Sequence, residues 1–101
     1  MSWVGVDLDG TLAVWRGAGV PIGPPVDAMV DRVRGMLLRG MEVRVFTARA
    51  SIPILVPEVE RWCVEHIGRK LEVTNRKDFG CVAIYDDIAH RVVFNTGVIC
   101  D

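Results

Sequence analysis

Apolar positions along the chain recur with two different spacings, which predict alternating strands and helices. Short apolar runs that end at polar residues are typical of buried strands feeding a loop. Longer segments with apolar residues at three- and four-residue intervals are typical of amphipathic helices. The predicted strands are residues 3–6, 41–46, 71–74, 82–85 and 92–94. The predicted helices are residues 26–40 and a segment entered between Pro53 and Pro57 that ends at Gly68.

This alternation favours an α/β fold, in which right-handed crossovers make the strands parallel. We therefore predict a single three-layer, Rossmann-like domain spanning residues 1–101, with a mainly parallel sheet covered on both faces. Between the first strand and the first helix, residues 12–25 are rich in glycine and proline. That composition predicts a short irregular flap after strand 1 rather than a helix or strand.

Composition narrows the classes of function but identifies no partner. A formal net charge of −1 lacks the basic excess of a nucleic-acid-binding protein. Three cysteines without C-x-x-C spacing argue against a disulfide framework and a structural zinc site, and they fit a reduced, cytoplasmic setting. No signal-peptide pattern and no apolar run near the ~20 residues of a membrane span are present, so we expect a soluble protein without a membrane partner.

Acidic residues follow two of the predicted strands. Asp7 and Asp9 come at the end of the first strand, and Asp86 and Asp87 come at the end of residues 82–85. The carboxyl ends of parallel strands meet at the edge where α/β sheets bind ligands, and Thr47 follows a third strand there. Carboxylates that lie close together raise one another's pKa, so a cluster of them needs a cation to stay ionised. Hard oxygen ligands favour Mg²⁺ over zinc. Solvated loop residues or helix caps are the alternative for any one pair.

Four short motifs follow one another along the chain. They are D-L-D-G-T-L at residues 7–12, Thr47 after an apolar strand, Lys77 within T-N-R-K-D at residues 74–78, and Asp86-Asp87 after A-I-Y. In this order they resemble the four motifs of the haloacid-dehalogenase superfamily. The resemblance extends from about Trp3 to about Phe94, and residues 74–78 are similar to the corresponding stretch of short, phage-type members.

The resemblance implies a Mg²⁺-dependent phosphohydrolase that works through an aspartyl-phosphate. Asp7 would be the nucleophile, and Asp9 would give a proton to the leaving oxygen and later take one from water. The groups that would hold the phosphoryl group are Gly10, Thr47, the amide of Ala48 and Lys77. The groups that would hold Mg²⁺ are Asp7, the backbone carbonyl of Asp9, Asp86 and Asp87. Spacing leaves open which of Asp86 and Asp87 binds the ion directly.

The chain resembles the capless members of the family, because it has no cap-sized insertion. Such members act on large substrates or borrow a neighbouring subunit as a lid, so a homo-oligomer is one expectation. The leading hypothesis for the substrate is a nucleotide, a sugar phosphate or a similar metabolite. One alternative is a 3′-phosphatase of nucleic-acid ends, because residues 84–93 are similar to the phosphatase part of phage polynucleotide kinases. A non-catalytic binding module is the other.

Three further residues have two interpretations each. Arg49 is either a bidentate phosphate contact or a surface residue at the start of a helix. Trp15 and Arg16 lie in the flap and either touch a substrate or anchor the flap itself.

Overall fold

Strands and helices alternate in the order that the sequence predicts. In the computed structural model, which describes residues 2–101, four strands and two α-helices are joined by loops and short 3₁₀ helices. The strands are β1 (Trp3–Val6), β2 (Val43–Phe46), β3 (Glu72–Thr74) and β4 (Cys81–Tyr85), and the helices are α1 (Asp27–Leu38) and α2 (Val56–His66). Two 3₁₀ helices, Ala48–Ser51 and Pro53–Leu55, connect β2 to α2. Gly40 and Gly68 follow the two α-helices with positive φ angles of 79° and 105°, as expected of glycines that end helices.

The four strands form one sheet in the order β3-β2-β1-β4, and every neighbouring pair is parallel. This confirms the predicted α/β class with a parallel sheet. Because the strands are parallel, the segments that follow β1, β2 and β4 all begin at the same edge of the sheet. The register pairs Val4 with Val43 and Val6 with Val45, so these four side chains share one face.

Both α-helices cover that face. The buried residues of α1 and α2 belong to the same apolar cluster as the strand valines; they are Val30, Val33, Met36, Val59, Trp62 and Cys63. Arg34 of α1 donates hydrogen bonds to the carbonyls of His66 and Ile67 at 2.6 and 3.3 Å, which ties α1 to the end of α2. Among residues 2–101, no helix combines the length and the apolar character needed to cross a membrane.

The opposite face of the sheet carries no helix in the described part of the chain, which differs from the predicted three-layer arrangement. Gly5 points to this face, where an added Cβ would meet the side chains of Trp3, Phe46 and Ile84. Residues 75–80, the connection from β3 to β4, lie against it, because Asp78 accepts a hydrogen bond from the Trp3 indole at 2.8 Å. So short a connection leaves no room for a crossover helix, so an irregular segment takes its place.

The last predicted strand, residues 92–94, does not form. Residues 91–100 fold back on themselves instead, with the amide of Val93 donating to the carbonyl of Val98 at 2.8 Å and the amide of Cys100 donating to that of Arg91 at 2.7 Å. Three consecutive apolar residues satisfy a strand pattern, but the Asn-Thr-Gly that follows supplies a turn. The segment therefore pairs with itself and does not extend the sheet.

The flap is a closed loop with a fixed base. The amide of Val14 donates to the carbonyl of Pro24 at 2.9 Å, so the two sides of the flap lie next to each other. The indole of Trp62 in α2 donates to the carbonyl of Gly23 at 3.0 Å. A Cβ at Gly23 would lie 2.2 Å from the carbonyl oxygen of Val14, so only glycine fits there. The flap is thus anchored on α2 through Trp62.

Candidate active site

Three carboxylates meet at the carboxyl edge of the sheet. Asp7 follows β1, and Asp86 and Asp87 follow β4, the strand next to β1. One oxygen of each carboxylate lies within 4.8 Å of the other two. The amide of Asp7 donates to the carbonyl of Tyr85 at 2.9 Å, and Asp86 Oδ1 accepts from the amide of Ile88 at 2.9 Å. Main-chain hydrogen bonds therefore fix both sides of the cluster.

The turn after Asp7 packs against Asp87. The carbonyl of Leu8 accepts hydrogen bonds from three successive amides, which winds residues 8–13 tightly. Gly10 has a φ angle of +86°, and a Cβ there would lie 2.8 Å from an Asp87 carboxylate oxygen. The Thr11 hydroxyl lies 3.2 Å from Asp87 Oδ1 and 3.4 Å from Asp7 Oδ2. Thr11 is not among the site residues predicted from the sequence, although it lies in the same D-L-D-G-T-L motif as Asp7.

Burial and like charge oppose ionisation of Asp7. Burial of the Asp7 carboxyl, its hydrogen bond with Asp87 and the charge of Asp86 raise the pKa of Asp7 to about 7. The same hydrogen bond lowers the pKa of Asp87, because the shared proton resides on Asp7. Without a cation, Asp7 and Asp87 therefore hold one proton between them up to about neutral pH.

The donor set of this cluster fits Mg²⁺. Carboxylate oxygens are hard ligands that suit Mg²⁺ rather than a soft metal, and three of them approach one another here. The predicted backbone ligand, the carbonyl of Asp9, accepts no backbone hydrogen bond from residues 2–101 and keeps its lone pairs for a ligand. Asp86 and Asp87 both contribute oxygens to the cluster, so each is available for direct contact with an ion.

We expect the metal-free protein to lose stability as the pH rises from about 4 to about 7. The pKa of Asp7 is about 7 in the folded chain and near 3.8 when unperturbed, so the folded chain holds a proton that the unfolded chain releases in this window. The stabilisation is complete below the unfolded pKa and is lost as the pH passes the folded pKa. Partial exposure and the opposite shift of Asp87 reduce the effect to about 1–2 kcal/mol. Urea unfolding in EDTA at pH 4, 5.5 and 8 measures it.

Asp7→Asn is the control for this pH dependence. The variant should lose most of the slope between pH 4 and 7 and should be more stable than the native chain at pH 8 in EDTA, because the amide cannot ionise. Saturating Mg²⁺ should raise the stability of the native chain at pH 8, since a ligand bound only by the folded state stabilises that state. An equal slope in both proteins would show that Asp7 is not its source.

Asp9 is paired with Arg49. Nε and Nη2 of Arg49 donate to the two carboxylate oxygens of Asp9 at 2.8 and 3.0 Å. The side chains of Arg49 and Asp9 are only 15% and 18% exposed, and their hydrogen bond raises the pKa of Arg49. A bidentate fork of this kind fixes the plane of the carboxylate. Arg49 is therefore not a free surface residue, and its partner in the structure is the predicted acid–base group.

Thr47 and Ala48 follow β2 at the same edge of the sheet. Thr47 is 4% exposed, and its hydroxyl oxygen accepts a hydrogen bond from the amide of Arg49 at 3.1 Å. This bond caps the first 3₁₀ helix and leaves the hydroxyl hydrogen able to donate. Ala48 is exposed at the first position of that helix, where the amide has no intrahelical partner. Both predicted phosphate ligands thus keep a donor.

Lys77 lies in the connection from β3 to β4. It is exposed in residues 75–80, and in the described chain no ion pair joins it to Asp7, Asp86 or Asp87. It lines a surface cavity together with Ile84 and Asp86. Its contact with a phosphoryl group stays a prediction.

The two flap residues differ in position. Trp15 is 54% exposed and lines a cavity that Asp9 and Arg49 also line. Trp62 of α2 anchors the base of the flap, and both interpretations of Trp15 stay predictions. Arg16 is exposed and does not line that cavity.

Comparison of the chain with protein-family models, with curated proteins and with solved structures gives no match.

Proposed function

We propose that the chain is a Mg²⁺-dependent phosphohydrolase of the haloacid-dehalogenase type, with a single Rossmann-like domain and Asp7 as the nucleophile. The observation that supports this most directly is the convergence of Asp7, Asp86 and Asp87 within 4.8 Å at the carboxyl edge of a parallel sheet. Ligands bind α/β sheets at this edge. Carboxylates whose pKa is raised by burial and by one another are typical of functional sites.

The proposed reaction has two steps. An oxygen of Asp7 attacks phosphorus, the bond from phosphorus to the alcohol oxygen breaks, and that oxygen takes a proton from Asp9. Water then attacks the phosphorus of the aspartyl-phosphate, gives a proton to Asp9, and releases phosphate and the Asp7 carboxylate. Bound Mg²⁺ would supply positive charge that offsets the carboxylates and the phosphate.

The ion pair between Asp9 and Arg49 constrains this reaction. Both oxygens of Asp9 accept hydrogen bonds from Arg49, and a guanidinium only donates. Each carboxylate oxygen keeps a second lone pair that can hold the transferred proton, so these bonds limit the direction in which Asp9 can present it. A substrate phosphate offers the guanidinium another bidentate partner. We therefore add Arg49 to the proposed phosphate ligands, which are Gly10, Thr47, Ala48 and Lys77.

A substrate screen tests the proposal. Nucleotides, sugar phosphates, other phosphate monoesters and 3′-phosphorylated oligonucleotides are incubated with the protein in Mg²⁺ or in EDTA, and released phosphate is measured. We expect at least one ester to be hydrolysed in Mg²⁺, with a loss of at least ~10³-fold in EDTA, because the acidic cluster otherwise repels the phosphate. Full turnover in EDTA would refute the metal requirement. Hydrolysis of the oligonucleotides alone would favour the 3′-phosphatase alternative.

A matched pair of variants tests the acidic cluster. Asp86→Asn should raise the Mg²⁺ concentration needed for half-maximal activity by at least ~10-fold, since it removes one charged oxygen ligand. Asp31→Asn makes the same change on α1, where the carboxylate is 74% exposed and pairs with Arg34, and should leave that concentration unchanged. Equal behaviour of the two variants would contradict a metal site at Asp86.

A further inference from the structure

A cavity of about 610 Å³ opens beside Asp9, between the flap and the segment that leads into α2. This volume falls within the range of small-molecule binding sites. Most of its walls are apolar; the side chains that form them are Trp15, Val20, Pro21, Ile52 and Leu55. Asp9 and Arg49 line the cavity as well, so it borders the candidate active site.

Two of the apolar side chains that line the cavity are about half exposed to solvent. The side chains of Trp15 and Ile52 are 54% and 49% exposed, which leaves apolar surface in water at an unfavourable free energy. The flap cannot easily turn Trp15 into the core, because hydrogen bonds from Val14 to Pro24 and from Trp62 to Gly23 fix the base of the flap. The cavity therefore presents preformed apolar surface next to an ionisable pair, as small-molecule sites commonly do.

The charges around the cavity disfavour a second anion. Asp9 and Glu58 line it, and among the described residues of its lining only Arg49 is cationic. Asp9 engages the fork of Arg49 in the structure, and the substrate phosphate would engage it in the proposed reaction, so the fork is not free for a second anion. A ligand group that enters this space next to the phosphate therefore meets acidic side chains and apolar walls but no free cation.

We propose that this cavity binds the leaving alcohol of the substrate, and that this alcohol carries an uncharged, planar aromatic group that packs against Trp15. The inference rests on the proposed function, in which Asp9 gives its proton to the leaving oxygen. That oxygen must lie next to Asp9, so the rest of the alcohol extends into the cavity that Asp9 lines. A half-exposed tryptophan ring offers a face for stacking. The substrate class is an aryl-bearing or nucleoside phosphate monoester with no second anionic group on the alcohol.

Three synthetic esters test the class. They are 2-phenylethyl phosphate, ethyl phosphate and 2-(4-carboxyphenyl)ethyl phosphate, assayed with the native chain in Mg²⁺. All three have primary alkyl leaving groups, so the chemical step is of similar difficulty and differences in kcat/KM report binding of the ring. We expect 2-phenylethyl phosphate to exceed ethyl phosphate by roughly 10–100-fold, since the ring buries apolar area on Trp15. The carboxylated ester should lose most of that gain.

A matched pair of isoleucines locates the effect. Ile52 lines the cavity, whereas Ile54, two residues later, is 80% exposed and does not. Ile52→Ala should lower the ratio of kcat/KM for the phenyl and ethyl esters by at least ~3-fold, while Ile54→Ala should preserve the ratio. Trp15→Ala should bring the ratio close to one. Circular dichroism and thermal unfolding of each variant confirm that it is folded.

Binding of non-hydrolysable analogues separates this inference from the proposed function. Calorimetry in Mg²⁺ compares 2-phenylethylphosphonate with ethylphosphonate. One outcome is that neither ester is hydrolysed, yet the phenyl analogue binds at least ~10-fold more tightly than the ethyl analogue and Ile52→Ala removes this difference. That outcome would refute the proposed reaction and support the aromatic site. If both esters are hydrolysed with equal kcat/KM, or if Ile54→Ala lowers the ratio as much as Ile52→Ala, the aromatic site is refuted and the reaction stands.

Discussion

Asp7→Asn is expected to lower the turnover of a phosphate ester by at least about 10⁴-fold and to prevent formation of any covalent phosphoryl-enzyme. The amide keeps the shape of the side chain but removes the charged oxygen that would attack phosphorus in the proposed reaction. It also relieves the interactions with Asp86 and Asp87 that raise the pKa of Asp7. We therefore expect activity to disappear while the metal-free fold becomes no less stable. Phosphate release and thermal unfolding, measured on the same sample, check both parts.

Asp31→Asn is the control for this substitution as well, because it makes the same chemical change on an exposed face of α1. It should turn over substrate like the native chain. Turnover by Asp7→Asn within ten-fold of the native rate, a far smaller loss than a missing nucleophile causes, would refute the covalent mechanism.

Asp9→Asn is expected to trap the intermediate that Asp7→Asn cannot form. It removes the proton donor and the base that activates water, but it leaves the nucleophile and the backbone carbonyl of residue 9 in place. With an activated ester, whose leaving group hardly needs a proton, Asp7 should still become phosphorylated. Hydrolysis of the aspartyl-phosphate should then be slowed by roughly 10²–10⁴-fold. Intact-mass measurement after a rapid acid quench should show a phosphate adduct in Asp9→Asn and none in Asp7→Asn.

The hydrogen bonds between Arg49 and Asp9 require a second comparison. Asp9→Asn also deprives the guanidinium of its ionic partner, so some loss of activity will come from displacement of Arg49. Arg49→Lys retains the charge but not the bidentate fork. It should slow turnover without accumulating the adduct, because Asp9 is still present to activate water. An adduct of equal amount in Arg49→Lys would assign the slow second step to Arg49.

The regular elements were predictable because their signals are local. Val30, Val33 and Met36 recur at helical spacing in α1, and Gly40 follows with the positive φ expected of a helix end. Residues 92–94 show the limit of such signals, since the pattern does not say whether an apolar run pairs with the sheet or with its own neighbours. Within residues 2–101, the lack of a helix on the second face has a different cause, since the connection from β3 to β4, residues 75–80, is too short to hold a crossover helix.

Some features of the candidate site follow from local sequence signals, and others depend on the three-dimensional fold. Asp7 and Asp86 were predictable as neighbours because each follows a strand, and parallel strands end at one edge. The pairing of Arg49 with Asp9 was not, because it depends on the 3₁₀ turn in which Thr47 accepts the amide of Arg49. That turn sets the direction of a long side chain, which spacing alone does not determine. The contact between Gly10 and Asp87 likewise requires two distant loops to be placed in three dimensions.

The position of β4 links assembly of the acidic cluster to the order of folding. β1, β2 and β3 are adjacent in the sheet in the order in which they occur in the chain, whereas β4 returns to pair with β1. Thr11 and Asp87, which touch across this junction, are 76 positions apart in the sequence. Closing so long a loop costs conformational entropy before the contacts between β1 and β4 form. Repulsion among the carboxylates opposes the same step. A chain whose first three strands have already paired would therefore hold Asp7, the proposed nucleophile, at the sheet edge with an incomplete acidic cluster until β4 docks. If the cluster binds Mg²⁺ as proposed, Mg²⁺ in a refolding buffer should favour that final docking.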